Sequence, residues 1–290
     1  LAQRREPGCG VRLDQGRLYG RGAVDAKGPF ATFIMAAARA AAAGLANLRI
    51  TVVGAVEEEA ATSRGARHVA ATYRSPSLII IGEPSGWDRI TVGYKGRLLV
   101  DYRLERAVSH TAGQERGVCD DAVAYWLALR DWAAVYNADK EGLFATLDPS
   151  LRGIHSGDDG LLEWVEMQIG LRLPVELDVA ALHAHLESIR GQAQVATRGY
   201  ERAIRADKRN ALTGALLAAI RAEGGRPAFV TKTGTSDMNV LGWHWACPIV
   251  AYGPGDSALD HTPHEHILLD EYLAAIRVLE GALHRLDARG

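Results

Sequence analysis

The feature that most constrains this chain is an interrupted rhythm. Up to about residue 95, short apolar runs alternate with helical patterns: a helix after Gly28, a strand "LRITVVGAV" at 48–56, a helix "GARHVAATY" at 65–73 and a strand "SLIII" at 77–81. Alternation of this kind builds a sheet with helices on its faces. From about Gly96 the order becomes strand "RLLVDYRLE", helix "CDDAVAYWLALRDWAAVY", a long loop through "DPSLRGIHSGDDG", strand "LLEWVEMQIGLRLP", helix "DVAALHAHLESI" and strand "AQVATRGY". This order is read as an inserted unit of the split ferredoxin-like βαββαβ type. Helix "NALTGALLAAIRAEG", strands "PAFVTK" and "CPIVAYG", and helix "DEYLAAIRVLEGALHRL" then return to the first rhythm. The expected fold class is α/β: one sheet-and-helix domain formed by 1–94 and 204–290, split by an inserted ferredoxin-like domain at 95–203.

Composition narrows the function classes. With 290 residues, 48% of them hydrophobic, the chain can fill a proper core, and a formal charge of -2 leaves no basic excess for nucleic acid or an anionic membrane. A small-molecule or protein substrate fits better. Cys9, Cys119 and Cys247 are far apart and show no CxxC spacing, which argues against a disulfide framework or a thiolate metal site and for a reducing cytoplasm. The most apolar stretch, "FATFIMAAARAAAAGLA" from Phe30, is broken by Arg39 and falls short of the roughly 20 residues of a membrane span.

In an open α/β sheet, ligands gather beyond the carboxyl ends of the strands. Four stretches sit where strands are expected to end: "RLYGRGAVDAKGP" with Asp25, "VEEEA" with Glu57, Glu58 and Glu59, "IIIGEPS" with Glu83, and "YGPGDSALDHTPHEH" with His261. Taken singly, each has a bland explanation: an aspartate before a helix caps it, a run of acids is a solvated turn, a loop histidine is hydrated. Taken together, they set carboxylates and an imidazole on one edge. That is the ligand chemistry of a divalent transition metal, most naturally zinc, with manganese or cobalt as alternatives.

The stretches "LYGRGAVDAKG", "EEEAATSRGARHV", "GEPSGWDRITVGYKG", "KTGTSDMNVLG" and "YGPGDSALDHTPHEH" resemble, in order, those of the di-zinc amidohydrolases that include acetylornithine deacetylase and succinyl-diaminopimelate desuccinylase. Within that family the likeness is greatest to the members that release lysine from an amino-group carrier protein in lysine biosynthesis. The resemblance implies two divalent metal ions, with Asp25 bridging them, Glu59 and His261 completing one site and Glu83 belonging to the other. It implies Glu58 as general base and His110, in "VSHTAG" of the inserted domain, as the donor that stabilises the tetrahedral oxyanion from the neighbouring subunit of a homodimer. It implies that Lys232, Thr233 and the loop from Gly234 to Asn239, with Thr235, Ser236 and Asp237, line the substrate pocket, and that the substrate is a carrier-protein conjugate or an N-acyl amino acid. An aminopeptidase of the same family keeps the metals but changes the pocket. Adjacent glutamates become tolerable on this reading, because a dication neutralises one of them while the other takes a proton from water. Glu57, where many relatives have aspartate, is expected to support this site from outside, and His264 and His266 to stay solvated or support it.

The likeness breaks at the start. Where relatives carry Gly-His-x-Asp-Thr-x-Pro-Gly this chain reads "LAQRREPG", in which only Pro7 and Gly8 agree. The expectation is a truncated or frameshifted frame that lacks the first strand and helix and leaves the metal shared with Glu83 short of a histidine. A catalytically impaired dimeric remnant is the contrasting expectation. The stretch "TRGYERAIRADKR", Thr197 to Arg209, holds five basic residues against two acidic ones and is the expected docking segment for an acidic carrier.

Overall fold

The structure, a computed structural model, describes residues 10–108 and 116–289; the departure at "LAQRREPG" and the expected oxyanion donor His110 lie outside the described residues. In chain order the elements are β1 (Arg12–Asp14), β2 (Arg17–Tyr19), α1 (Lys27–Ala43), α2 (Arg64–Thr72), β3 (Ile79–Gly82), β4 (Arg89–Tyr94), β5 (Gly96–Ala107), α3 (Val118–Asn137), β6 (Asp148–Asp158), β7 (Leu162–Leu173), α4 (Val179–Ile189), β8 (Gln194–Glu201), β9 (Ile204–Arg205), α5 (Ala211–Ala222), β10 (Ala228–Lys232), α6 (Asp237–His244), β11 (Ile249–Tyr252), β12 (His266–Leu268) and α7 (Leu269–Asp287). They divide into two compact units: one holds the residues up to Gly93, Arg205–Thr231 and those from Ser236 onward, the other Tyr94–Ile204 with Lys232–Thr235. No helix among the described residues is long and apolar enough to cross a membrane.

The first unit is built on a mixed sheet in the order β10-β4-β11-β3, with β9 also paired to β4. β3 runs parallel to β11, with Ile79 opposite Ile249 and Ile81 opposite Ala251, which is why both read as continuous apolar runs. α5 buries Leu212, Ala215, Leu216, Ala219 and Ile220, the i, i+3, i+4, i+7, i+8 stripe of an amphipathic helix. Asn210 and Thr213 close its N-terminus as a capping box. α7 lies beside both α5 and α1, and its Ala275, Val278, Leu279 and Ala282 join Ile90, Val92, Val250 and Tyr252 of the sheet in one core. Fully burying each large aliphatic side chain there is worth about 1.5–3 kcal/mol. A smaller sheet, β1-β2-β12, carries the segment that leads to Asp25.

The run "LRITVVGAV" departs from expectation. Residues 48–55 form no strand, and Val53 and Val56 are 39% and 68% exposed. The cause is pairing: apolar β-formers supply propensity, but a ladder needs a neighbouring edge, and among the described residues the sheet ends at β3. "TSDMN" departs as well: Ser236 caps α6, accepting from Met238 N, and the expected loop is helical from Asp237.

The second unit is an antiparallel sheet in the order β6-β7-β5-β8. Leu98, Val100, Tyr102 and Leu104 of β5 stand opposite Leu171, Ile169, Met167 and Val165 of β7, and all eight are buried. α3 and α4 cover that face with Val118, Ala122, Tyr125, Leu129, Leu182 and Leu186. The alternate residues carry charge, with Arg103 bonded to Glu166 and Arg198 to Asp101. The expected loop at 148–158 is the strand β6, which completes the βαββαβ order. It is an edge strand, mostly exposed, with a register shift between Leu151 and Gly153, so it lacks the apolar alternation that marks the inner strands. Lys95 is fully buried, its ammonium donating to the carbonyls of Leu143 and Thr146 and to Asp148 Oδ2. Those bonds hold the approach to β6 against the root of β5.

Lys232–Thr235, expected in the closing part of the first domain, groups with the second unit. Two bonds within that unit account for it: Lys95 N donates to Lys232 O at 3.1 Å, and Arg172 Nη1 to Thr235 Oγ1 at 3.4 Å.

Candidate metal centre

Asp25 lies in the turn between β2 and α1, and the chemistry of that turn is tight. Ala23 N bonds to Gly20 O at 3.0 Å and Lys27 N to Gly22 O at 2.8 Å. At Gly28 a Cβ would stand 2.3 Å from Ala23 O, so only glycine lets the helix start this close to the turn. The loop after residue 56 is held by Gly65 N donating to Val56 O at 3.0 Å. Glu57 there has φ 59°, and His261 in the loop after β11 has φ 57°. Non-glycine residues seldom adopt this left-handed conformation, which costs of order 1–3 kcal/mol and concentrates where a site fixes it.

These loops bring Asp25, Glu59 and His261 together, with one ligand-type atom of each within 4.8 Å of the others. His261 Nε2 is 3.3 Å from Asp25 Oδ2 and 3.5 Å from Glu59 Oε1. Burial, then the charge of Asp25, raises the Glu59 carboxyl above its ordinary value, while His261 and Arg21 act in the opposite direction. Asp25, Glu58, Glu59, Glu83 and Asp237 line one cavity of about 560 Å³ within the first unit. Burial, and next the charge of Glu58, push the Glu83 carboxyl well above the ordinary 4.5. Carboxylates gathered against their own repulsion, with an imidazole among them, fit a hard or borderline divalent cation.

The remaining expected residues divide. Glu57 turns to Thr62 Oγ1 at 3.2 Å and Arg64 Nη1 at 3.5 Å and is outside the three-residue cluster. His266 packs on Tyr19 with ring centroids 4.8 Å apart. Ser236 and Asp237 begin α6 in the first unit, whereas Lys232 and Thr235 belong to the second. In the second unit Arg172 stands beside Thr235, opposite Arg97 across the ladder. Burial and then the charges of Arg152 and Arg97 lower its pKa. Sequence reasoning passed over Arg172, which looks like any strand arginine. It also passed over Glu265, which lies four positions beyond His261 and whose carboxylate accepts three backbone N–H groups of the Asp25 turn. Its place between His264 and His266 is its only mark in the sequence, and in the fold it is 5% exposed.

Residues 5–285 match the model of peptidase family M20/M25/M40. The chain belongs to this family. Among M20 relatives, the [LysW]-lysine hydrolase of Deinococcus radiodurans is 46% identical over 95% of this chain and 78% of its own length. A putative [LysW]-lysine/[LysW]-ornithine hydrolase of Thermococcus kodakarensis is 38% identical over 95% and 72%. The M20 metallo-carboxypeptidase Sso-CP2 from Sulfolobus solfataricus has the same fold, with a TM-score of 0.73 at 18% identity, covering 96% of this chain and 79% of that one. Aminopeptidase PepT from Bacillus cereus shares it too, with a TM-score of 0.77 at 16% identity over 97% and 77%. Membership places the chain among metal-dependent hydrolases of amide bonds, with an inserted domain of the kind these relatives contain.

Proposed function

We propose that this M20 chain hydrolyses the amide that joins lysine to an amino-group carrier protein, with zinc as its metal and cobalt or manganese as alternatives. The observation that carries the chemistry is the meeting of Asp25, Glu59 and His261 beside Glu58 and Glu83 in one cavity. The substrate rests on the 46% identity to a [LysW]-lysine hydrolase.

Asp25, Glu59 and His261 would hold one cation, and Asp25 with Glu83 a second. When bound, such cations act as Lewis acids that polarise an amide carbonyl and lower the pKa of water. The chain's own residues do the rest. Glu58 takes a proton at its carboxylate from the attacking water and returns it to the nitrogen of the leaving amine. Lys232, Thr235, Ser236 and Asp237 are the substrate-binding groups of this reading. His110 is the oxyanion donor, contributed by the partner subunit of a homodimer, for which β6 and β8 are the sheet edges of the second unit. The proposed compartment is the cytoplasm, where a carrier-bound intermediate of amino-acid biosynthesis is made.

The test is a comparison of three substrates with metal-supplemented protein: the carrier–lysine conjugate, N-acetyl amino acids and free dipeptides. Preference for the conjugate supports the reading. Preference for dipeptides points to a peptidase, and turnover of none of them to a non-catalytic role.

A further inference from the structure

Glu265 ties the loop that presents Asp25 to the loop that presents His261. Its side chain is 4% exposed, and its Oε2 accepts from Gly22 N at 2.9 Å while Oε1 accepts from Val24 N at 3.0 Å and Asp25 N at 3.1 Å. Its own carbonyl accepts from Gly20 N at 3.3 Å, and its N–H donates to Thr262 O at 3.4 Å, which continues the attachment to the residue next to His261. Arg21, 3.9 Å away and 72% exposed, is a distant counter-charge, so backbone amides do most of the work of holding the buried carboxylate. Hydrogen bonds to an ionised acceptor are roughly twice as strong as neutral ones. Three bonds to the carboxylate and one to the Glu265 carbonyl join two loops that lie far apart in the sequence.

We propose that Glu265 is the positioning residue of the metal centre: it touches neither substrate nor cation, but fixes the backbone of Asp25 relative to that of His261. The inference rests on the reading of Asp25, Glu59 and His261 as cation ligands. Groups that orient ligands from behind typically change metal affinity by roughly 10–100-fold when removed. Glutamine keeps the length and one acceptor oxygen but turns an NH₂ group toward the amides, so it should lie between the wild type and alanine.

The test is calorimetric titration with Zn²⁺ and Co²⁺ on wild-type protein, Glu265→Gln, Glu265→Ala and Asp287→Ala. Asp287 is the matched control, since its carboxylate accepts from Ala46 N, Asn47 N and Leu48 N in the same manner without touching the site. Affinity should fall roughly 10-fold in Glu265→Gln and up to 100-fold in Glu265→Ala, and stay within about twofold of wild type in Asp287→Ala. Unchanged affinity in the Glu265 variants, or equal loss in Asp287→Ala, overturns the inference alone. A wild type that binds neither ion overturns the metal-centre reading itself. Should the Glu265 variants not fold, hydrogen exchange on wild-type protein decides: added Zn²⁺ should slow the amides of residues 20–26 and 261–265 together, and protection confined to one loop overturns the link.

Discussion

His261 Nε2 approaches Asp25 Oδ2 to 3.3 Å, although the two residues lie on loops far apart in sequence. With Glu59 3.5 Å from the same nitrogen, this imidazole–carboxylate pair has the composition of the ligand set proposed for one cation. The roles of the three adjacent glutamates can therefore be separated by measurement.

Glu58→Gln should abolish turnover by roughly 10²–10⁴-fold while leaving metal content near wild type, because a general base moves protons and holds no cation. Glu59→Gln and His261→Ala should instead lower metal content, and Glu57→Gln should change neither. Parallel metal analysis and amidase assays check all four. Equal metal loss in Glu58→Gln and Glu59→Gln would show the pair to be wrongly assigned.

Gly28→Ala should destabilise the first unit by about 1–3 kcal/mol, because the added methyl meets Ala23 O at 2.3 Å and Ile267 Cδ1 at 2.9 Å. Gly10→Ala, with nothing within 4 Å, should be neutral. Urea denaturation compares them, and Gly28→Ala should also weaken zinc binding since the Asp25 turn must move.

The second unit should lose stability in alkali. Burial, and next the charge of Asp121, raises Tyr102 from 10.0 to about 12, and burial also raises Tyr125, whose ring lies 4.7 Å from it. A tyrosine with a raised folded pKa binds more protons folded than unfolded, so its contribution is complete below pH 10.0 and is lost as the pH climbs toward about 12. Tyrosinate absorbance followed beside circular dichroism should show Tyr102 and Tyr125 ionising only as the fold is lost. Their full ionisation near pH 10 in folded protein contradicts this.

Hydrolysis of the carrier conjugate should weaken with salt more than hydrolysis of a small N-acyl-lysine, if the basic stretch Thr197 to Arg209 docks an acidic carrier. Arg198 already pairs with Asp101 at 2.6 Å, so its replacement should matter less than replacement of Arg209. Identical salt dependence for both substrates removes the docking role.

Legibility followed the physics of each signal. Helices with a full apolar stripe, such as α5 and α7, and inner strands with strict alternation, such as β5, were readable because burial on one face writes a period into the sequence. β6 was hidden because an edge strand buries little and carries Pro149 and Gly153. Residues 48–56 misled in the opposite way, since apolar content states a preference for pairing without supplying the partner. In the site, Asp25, Glu59 and His261 were accessible through motif order, whereas Glu265 acts through backbone amides, which no residue pattern records.

The parallel pairing of β3 with β11 also sets a schedule for synthesis. Gly82 leaves the ribosome long before Ile249, and the residues between them contain the whole contiguous βαββαβ sheet. At roughly 5–20 residues per second, β3 waits on the order of ten seconds or more for its only ladder partner among the described strands, while β5 meets β7 and β8 much sooner. The inserted unit is thus the part of the nascent chain able to fold first. The emerging first segment, with its apolar "IIIG" strand unpaired, is the stretch on which a chaperone has most time to act.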